Sequence, residues 1–421
     1  MKKEIVKRTL SNGIRVYLYA DKDLKRVVAS YNVGYGSYGY YDKFYYDDEL
    51  YSMPPAMAHF LEHTLVETCK QGNMLIHFKN KSYEMNALTY PELTSFYFIG
   101  IKDTMESIKE LIHMVDEPNF DEENIEKVKL AIVEETNKAA DDKYRQGYNV
   151  NKLNAFEAFD GVHESYNTLG TEETTRGITL EEVKTCYDAY YNNENKFLVI
   201  GGNIDIDEMV EYLESIYAEI EDHPNKMREA NYGDMLPIRK EYEEIYKPVA
   251  NDYLIETFKV RNDFEEEPLL VDMYLSLFFR MKFAGETKFI SDLTNDKICI
   301  GGMSHSFDFF KGVISITVTA DVLNQEEFLK RVEGELNSEG LDEHLFELIK
   351  KSFKVNELSK MDYIYKSIMR FPLSLDFTEK LYSMDIVDKV TLADLRKFID
   401  KIDWSLKTVT VIKKEEKREA N

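Results

Sequence analysis

The stretch Pro54-Pro55-Ala56-Met57-Ala58-His59-Phe60-Leu61-Glu62-His63-Thr64-Leu65-Val66-Glu67 decides how the rest of the chain is read. It reads as a helix. The paired prolines suit a first turn, where a missing N–H costs nothing, and Gly72 suits the stop. His59 and His63 stand four residues apart. On a helix that spacing puts their Cβ atoms roughly 5–6 Å from each other, so both imidazoles can reach one metal ion at about 2.0–2.1 Å. Glu62 lies on nearly the same face and is free to act as a base. The pattern His-x-x-Glu-His is the inverted form of the His-Glu-x-x-His zinc signature.

Two imidazoles do not hold a catalytic zinc ion, which wants three protein ligands and an open position for water. Working outward, a long helix opening at Asp121 supplies the third. Its inward stripe runs Ile125, Val128, Ile132 and then Glu135, all within one face at 100° per residue. A carboxylate on an apolar face is costly unless it is paired or metal-bound. Glu134 points to the opposite side. The expected site is therefore His59, His63 and Glu135 on Zn²⁺, with Glu62 as the catalytic base.

Composition bounds what such a site can belong to. At 421 residues the chain exceeds one ordinary core, and its 43% hydrophobic and 31% charged content is that of a soluble globular protein. The net charge of −25 argues against nucleic acid and anionic membrane partners. It serves solubility, or a cavity whose field draws in basic peptides; both readings stay open. No apolar run approaches the roughly 20 residues that span a bilayer, and Met1–Arg8 is charged with no apolar segment behind it, unlike a secretory signal. Cys69, Cys186 and Cys299 lie far apart and fit no disulfide framework. The expected location is the cytoplasm.

Along the chain, residues 8–20 read as a hairpin about Asn12-Gly13. Val27–Gly34, Tyr83–Thr89, Leu93–Ile101 and Lys196–Gly202 read as strands, Asp42–Leu50 as an acidic loop, and 141–175 as polar and loop-rich. Thr179–Val183 carries a capping box, and Asp205–Ile220 is helical. Residues 221–245, with Pro224 and Pro237, read as a linker. Beyond it the order strand, helix, helix, helix, strand recurs at an offset of about 212–221 residues: Gly312–Val318 answers Thr94–Ile101, and Val390–Leu395 answers Ile178–Val183. The expected domains are 1–225, the metal-binding one, and 246–421, its homologous copy, joined by 226–245. The copy lacks the histidine motif; Asp272–Arg280 stands in its place and is largely apolar. Lys413–Asn421 reads as a frayed charged tail.

With these residues in hand, the chain resembles the pitrilysin/insulinase family of zinc peptidases, which includes mitochondrial processing peptidase. The shared segments are His59–His63, Asn86-Ala87-Leu88-Thr89, Glu135, Leu169-Gly170-Thr171 and Gly201-Gly202-Asn203. The resemblance is greatest to the short bacterial branch. It implies an α+β fold of two homologous α/β-sandwich domains, with antiparallel or mixed sheets packed by helices. It implies a zinc-dependent endopeptidase acting on small or unfolded peptides, with Asn86, Ala87 and Thr89 on the strand to which substrate adds. It also implies a dimer of two copies or of the chain with a paralogue. Val128 stands where the family commonly has a further glutamate, and the family's substrate-gripping arginine and tyrosine are not found around Asn295–Met303. The alternatives are a non-catalytic or weakly active partner subunit of a heterodimeric peptidase, another enzyme class with the same motif, and a peptide-binding module with a structural metal.

Overall fold

The structure is a computed structural model that describes residues 4–139, 141–156, 168–231, 233–310, 312–375 and 378–415. Its strands are β1 (Val6–Thr9), β2 (Arg15–Ala20), β3 (Val27–Val33), β4 (Lys43–Tyr46), β5 (Glu49–Ser52), β6 (Glu84–Thr89), β7 (Thr94–Gly100), β8 (Lys196–Gly202), β9 (Met227–Glu229), β10 (Tyr242–Lys247), β11 (Asp252–Arg261), β12 (Cys299–Phe310), β13 (Val313–Val322) and β14 (Lys407–Lys414). Its helices are α1 (Met57–Glu67), α2 (Met74–Asn80), α3 (Thr104–Asp116), α4 (Glu122–Ala139), α5 (Lys143–Ala155), α6 (Glu172–Gly177), α7 (Leu180–Tyr190), α8 (Ile206–Tyr217), α9 (Pro268–Phe283), α10 (Lys288–Asn295), α11 (Gln325–Leu336), α12 (Glu343–Asp362), α13 (Ile364–Arg370), α14 (Met384–Lys389) and α15 (Leu392–Ile399). The chain divides into two compact units. One holds Met1–Lys138, Phe159–Asn231 and Lys360–Tyr382; the other holds Ala139–Ala158, Tyr232–Ser359 and Ser383–Asn421.

The first unit is built on a six-stranded mixed sheet in the order β1-β2-β8-β3-β7-β6. β1 and β2 form the hairpin expected about Asn12-Gly13. β2 runs parallel to β8, and β8-β3-β7-β6 are successively antiparallel. Side chains alternate across this sheet. Val16, Leu18, Ala29, Tyr31, Leu198 and Ile200 join the main core beneath α1, α3 and α7. Tyr17, Tyr19, Val28, Phe197 and Val199 face the other way, into a second core with Ile364, Ile368 and Phe371 from the segment 360–382. Burial on both faces is why β8 reads as an apolar run at Phe197–Ile200, and why only Ser30 and Asn32 interrupt the apolar residues of β3. The approach is close at Gly201, where a Cβ would lie 2.6 Å from Ile368 Cδ1.

The second unit repeats the pattern. Its sheet runs β10-β14-β11-β13-β12, with β10 parallel to β14 and the rest antiparallel. Topologically β10, β14, β11, β13 and β12 stand for β2, β8, β3, β7 and β6, and α9, α11 and α12 stand for α1, α3 and α4. One face of this sheet packs Leu254, Phe258, Ile314, Ile316, Val318 and Val411 into a core with α9. The other face is polar yet buried: Thr257, Lys259, Ser315, Thr317, Thr408 and Thr410. α5 covers it. Asn151 Nδ2 donates to Ile255 O at 3.0 Å and its Oδ1 accepts from Thr257 Oγ1 at 2.5 Å. Lys152 Nζ bonds Asp308 Oδ2 at 2.5 Å and Ser315 Oγ at 2.8 Å. Each unit's sheet is thus covered on one face by a helix drawn from the other half of the sequence.

Four local expectations are corrected. α1 starts at Met57, after the prolines, with Ala56 at φ 68°, and ends at Glu67; Gly72, at φ 86°, closes the short turn with Cys69 instead. The acidic loop at 42–50 is the hairpin β4-β5, which β9 extends to a three-stranded sheet. The polar stretch after 141 contains α5. Residues 221–245 hold β9 and the start of β10. The expected loop at 157–167 and the tail at 416–421 lie outside the described residues. Among the described residues no helix is long and apolar enough to cross a membrane.

Candidate metal centre

α1 is buried on almost every side: Met57, Ala58, Phe60, Leu61, Leu65 and Val66 are packed in the core, and His59, Glu62 and Thr64 are buried with them. Polar groups placed so deeply need partners. α4 meets this helix at its end, through Glu135. Ile125, Val128 and Ile132 are fully buried, as the stripe requires. The stripe emerges from the core at its end, so that Glu135 is 46% exposed rather than buried, with its carboxylate turned to the two histidines. Glu134 points to solvent and pairs with Lys138 at 2.7 Å, which lowers its carboxyl pKa.

The three side chains converge. Glu135 Oε2 lies 3.7 Å from His59 Nε2 and 3.5 Å from His63 Nε2, and one ligand atom from each residue falls within 4.8 Å of the others. Tetrahedral ligands at about 2.0–2.2 Å from a zinc ion stand roughly 3.3–3.6 Å apart. The spacing therefore fits a single ion, and two imidazoles with one carboxylate are a donor set suited to zinc with a position left open.

The surrounding hydrogen bonds orient these groups. Glu67, one helical turn beyond His63, takes a bond from its Nδ1 at 2.9 Å. With Nδ1 as the donor, the lone pair of Nε2 faces Glu135, the tautomer a ligand needs. Burial pushes the His63 imidazole pKa down; the Glu67 bond and the carboxylates of Glu62, Glu67 and Glu135 reverse this and leave it raised. Glu67 is a candidate-site residue that the sequence reading passed over. Its i, i+4 relation to His63 was the available signal.

Glu62 is 8% exposed. Its Oε2 accepts a bond of 2.7 Å from Thr89 Oγ1. Burial raises its carboxyl pKa above the ordinary value, against the lowering effects of Thr89 and His63. Thr89 therefore reaches the centre directly. Asn86, exposed, and Ala87, buried, lie on the same strand, β6, which forms the edge of the sheet. Val128, the position of the family's further glutamate, is core.

A family model described as "Peptidase M16 inactive domain" matches residues 177–353, a span that leaves out α1, β6 and Glu135. YmfH of Bacillus subtilis, named as an uncharacterized zinc protease, is 26% identical over 274 residues, 64% of this chain and 62% of that one. The beta subunit of the mitochondrial-processing peptidase of Dictyostelium discoideum is 23% identical over 267 residues, 62% of this chain and 50% of that one. The matches thus span less than two thirds of either relative. The crystal structure of a putative M16-like peptidase from Alicyclobacillus acidocaldarius superposes with a TM-score of 0.85 at 21% identity, over 98% of both chains. In sequence and in two-domain fold, the chain is similar to peptidases of the M16, pitrilysin type.

Proposed function

We propose that the chain is a zinc-dependent endopeptidase of small or unfolded peptides. The observation that carries this reading is the convergence of His59 Nε2, His63 Nε2 and Glu135 Oε2 beside the buried carboxyl of Glu62. His59, His63 and Glu135 would hold the ion. When bound, zinc supplies Lewis-acid polarisation of a carbonyl and an acidified water. Glu62 takes the proton from water and returns it to the leaving amine; its burial and raised pKa suit a group that must both accept and donate. The Thr89 hydroxyl keeps Glu62 in one orientation and out of the ligand set. The outer edge of β6, the last strand of the sheet among the described residues, accepts an extended peptide through main-chain bonds, with Asn86, Ala87 and Thr89 alongside it. The active form is a dimer, of two copies or with a paralogue, in the cytoplasm; a relative named as a subunit supports the assembly.

Glu62→Gln should retain one zinc per chain by elemental analysis and lose hydrolysis of a quenched peptide. Loss of zinc would move Glu62 into the ligand set, and full activity would end the reading. The description "inactive domain" favours a second reading, a partner subunit without its own activity. A zinc-loaded wild type that cleaves no peptide alone, and raises the activity of a paralogue, would select it.

A further inference from the structure

α9 occupies in the second unit the place of α1 in the first. Along its shaft, residues 271–283, every residue is buried except Asp272, Ser276 and Arg280. These three are half-buried and spaced i, i+4 and i+8, a polar stripe about 12 Å long on a helix whose one buried charge, Lys282, is paired with Glu335. α12 and β12 stand beside it as α4 and β6 stand beside α1. Where the first unit sets imidazoles on this helix, the second sets a guanidinium.

Arg280 carries five N–H donors. One, on Nη2, points to Ser352 Oγ of α12 at 3.5 Å, the outer limit of a hydrogen bond. The guanidinium carbon lies 5.2 Å from the centroid of the Phe353 ring, so the ring holds the planar group by its face. Among the described residues no carboxylate pairs with it, although acidic residues outnumber basic ones 78 to 53 in this chain. A cation in the last turn of a helix is favourable through the helix dipole. That accounts for a positive charge here, and not for a half-buried one whose fork is left without an anion. His305 of β12 is the neighbouring polar group. Its ring lies 5.2 Å from that of Phe279, the residue before Arg280, and burial, then the charge of Arg280, lowers its imidazole pKa.

We propose that Arg280, with Ser352 and His305 beside it, is a binding site for the carboxylate of a peptide. A planar guanidinium fixed on a ring is matched to a planar carboxylate, which it grips with two parallel bonds. The net charge of −25 repels peptides rich in acid, so the single carboxylate of a C-terminus suits the site better than an acidic side chain. The assignment takes from the proposed function only that the ligand is a peptide.

The test reads binding by fluorescence anisotropy, on full-length protein kept metal-free with a chelator. The probe is a fluorescein-labelled peptide of ten neutral residues, made with a free C-terminus, as its C-terminal amide, and as an amide carrying one internal glutamate. Wild type should bind the free acid about tenfold or more tightly than the amide. Arg280→Gln should abolish that preference, and Arg280→Lys, which keeps charge and loses the fork, should reduce it. A preference for the internal glutamate instead of the terminus would keep the site and change its source. Equal binding of acid and amide by wild type would overturn the proposal. So would a preference that survives in Arg280→Gln, or in Arg280→Lys should the glutamine variant fail to fold. Hydrolysis is not the readout, so a chain with no peptidase activity could still pass, and an active peptidase could still fail.

Discussion

Replacing Glu67 with alanine separates positioning from stability in the candidate metal centre. Glu67 touches no metal-facing atom; it holds His63 through Nδ1 at 2.9 Å and so fixes which nitrogen faces Glu135. Loss of such an outer partner lowers metal affinity by about 10–100-fold, or about 1.4–2.7 kcal/mol. The same substitution removes one i, i+4 pair whose side chains are 21% and 30% exposed. Pairs of that kind contribute only about 0.3–0.5 kcal/mol to stability, or roughly 1–2 °C in melting temperature for a unit of this size. The two effects differ enough to be told apart. Zinc affinity measured by competition with a chromophoric chelator should fall by at least about tenfold in Glu67→Ala. The metal-free melting temperature should barely move. Glu67→Gln keeps an acceptor oxygen without the charge and should fall between. An affinity within twofold of wild type would refute the role given to Glu67. A metal-free protein that melts many degrees lower would show that the residue serves the fold instead.

Three further outcomes are expected. Glu135→Gln should lose most of its zinc affinity, while Glu134→Gln, a surface change beside Lys138, should leave zinc content and activity within about twofold; the reverse result would mean that the phase of α4 is wrong by one residue. Asp272 is pushed up to about 6 by burial. Its folded pKa lies above the unfolded one, so its contribution is intact below about pH 4 and is lost as pH rises through 6. Asp272→Asn should therefore match wild type at pH 4 and exceed it by about 1–3 kcal/mol at pH 7.5, in urea melts read from the single tryptophan, Trp404, which lies in the core of the same unit. Lys196→Met should cost about 3–5 kcal/mol in denaturant titrations, because it strands the buried carboxylate of Asp116, 2.6 Å from the lysine, with only neutral partners such as Tyr31.

The convergence of the candidate metal ligands was legible in sequence because its logic is helical and local. His59 and His63 sit one turn apart, and Glu135 continues a stripe of buried Ile and Val. The strands β7 and β8 were legible because burial on both faces gives apolar runs, Phe96–Ile99 and Phe197–Ile200, and β3 because only Ser30 and Asn32 interrupt its apolar residues. α5 was not. The face it buries carries Asn151, Lys152 and Asn154 against a sheet face of threonines, serine and lysine, so no apolar period marks it. Gly147, whose added Cβ would stand 2.4 Å from Ile412 Cδ1, lets this helix sit close and by itself reads as a breaker. The hairpin β4-β5 was hidden for a related reason. Its turn places Asp47 and Asp48 at φ 48° and 65°, where glycine or asparagine would have signalled it. The polar stripe of α9 was visible only as three letters in a largely apolar run; what sets Arg280 apart is that no carboxylate among the described residues pairs with it, which no spacing reveals.

The exchanged helices also set a timetable for synthesis. The six-stranded sheet has all its strands once β8 has emerged, but the face carrying Tyr17, Tyr19, Phe197 and Val199 is closed by α13, about 160 residues later. At a ribosomal pace of about 5–20 residues per second, that face waits on the order of 10–30 s for its cover. During that interval the nascent chain displays a broad aromatic surface, and the unit that carries the candidate metal ligands can finish folding only when the second copy is nearly made. A nascent-chain chaperone that recognises aromatic surface would have its window there, and truncation anywhere before residue 364 would leave that window permanently open.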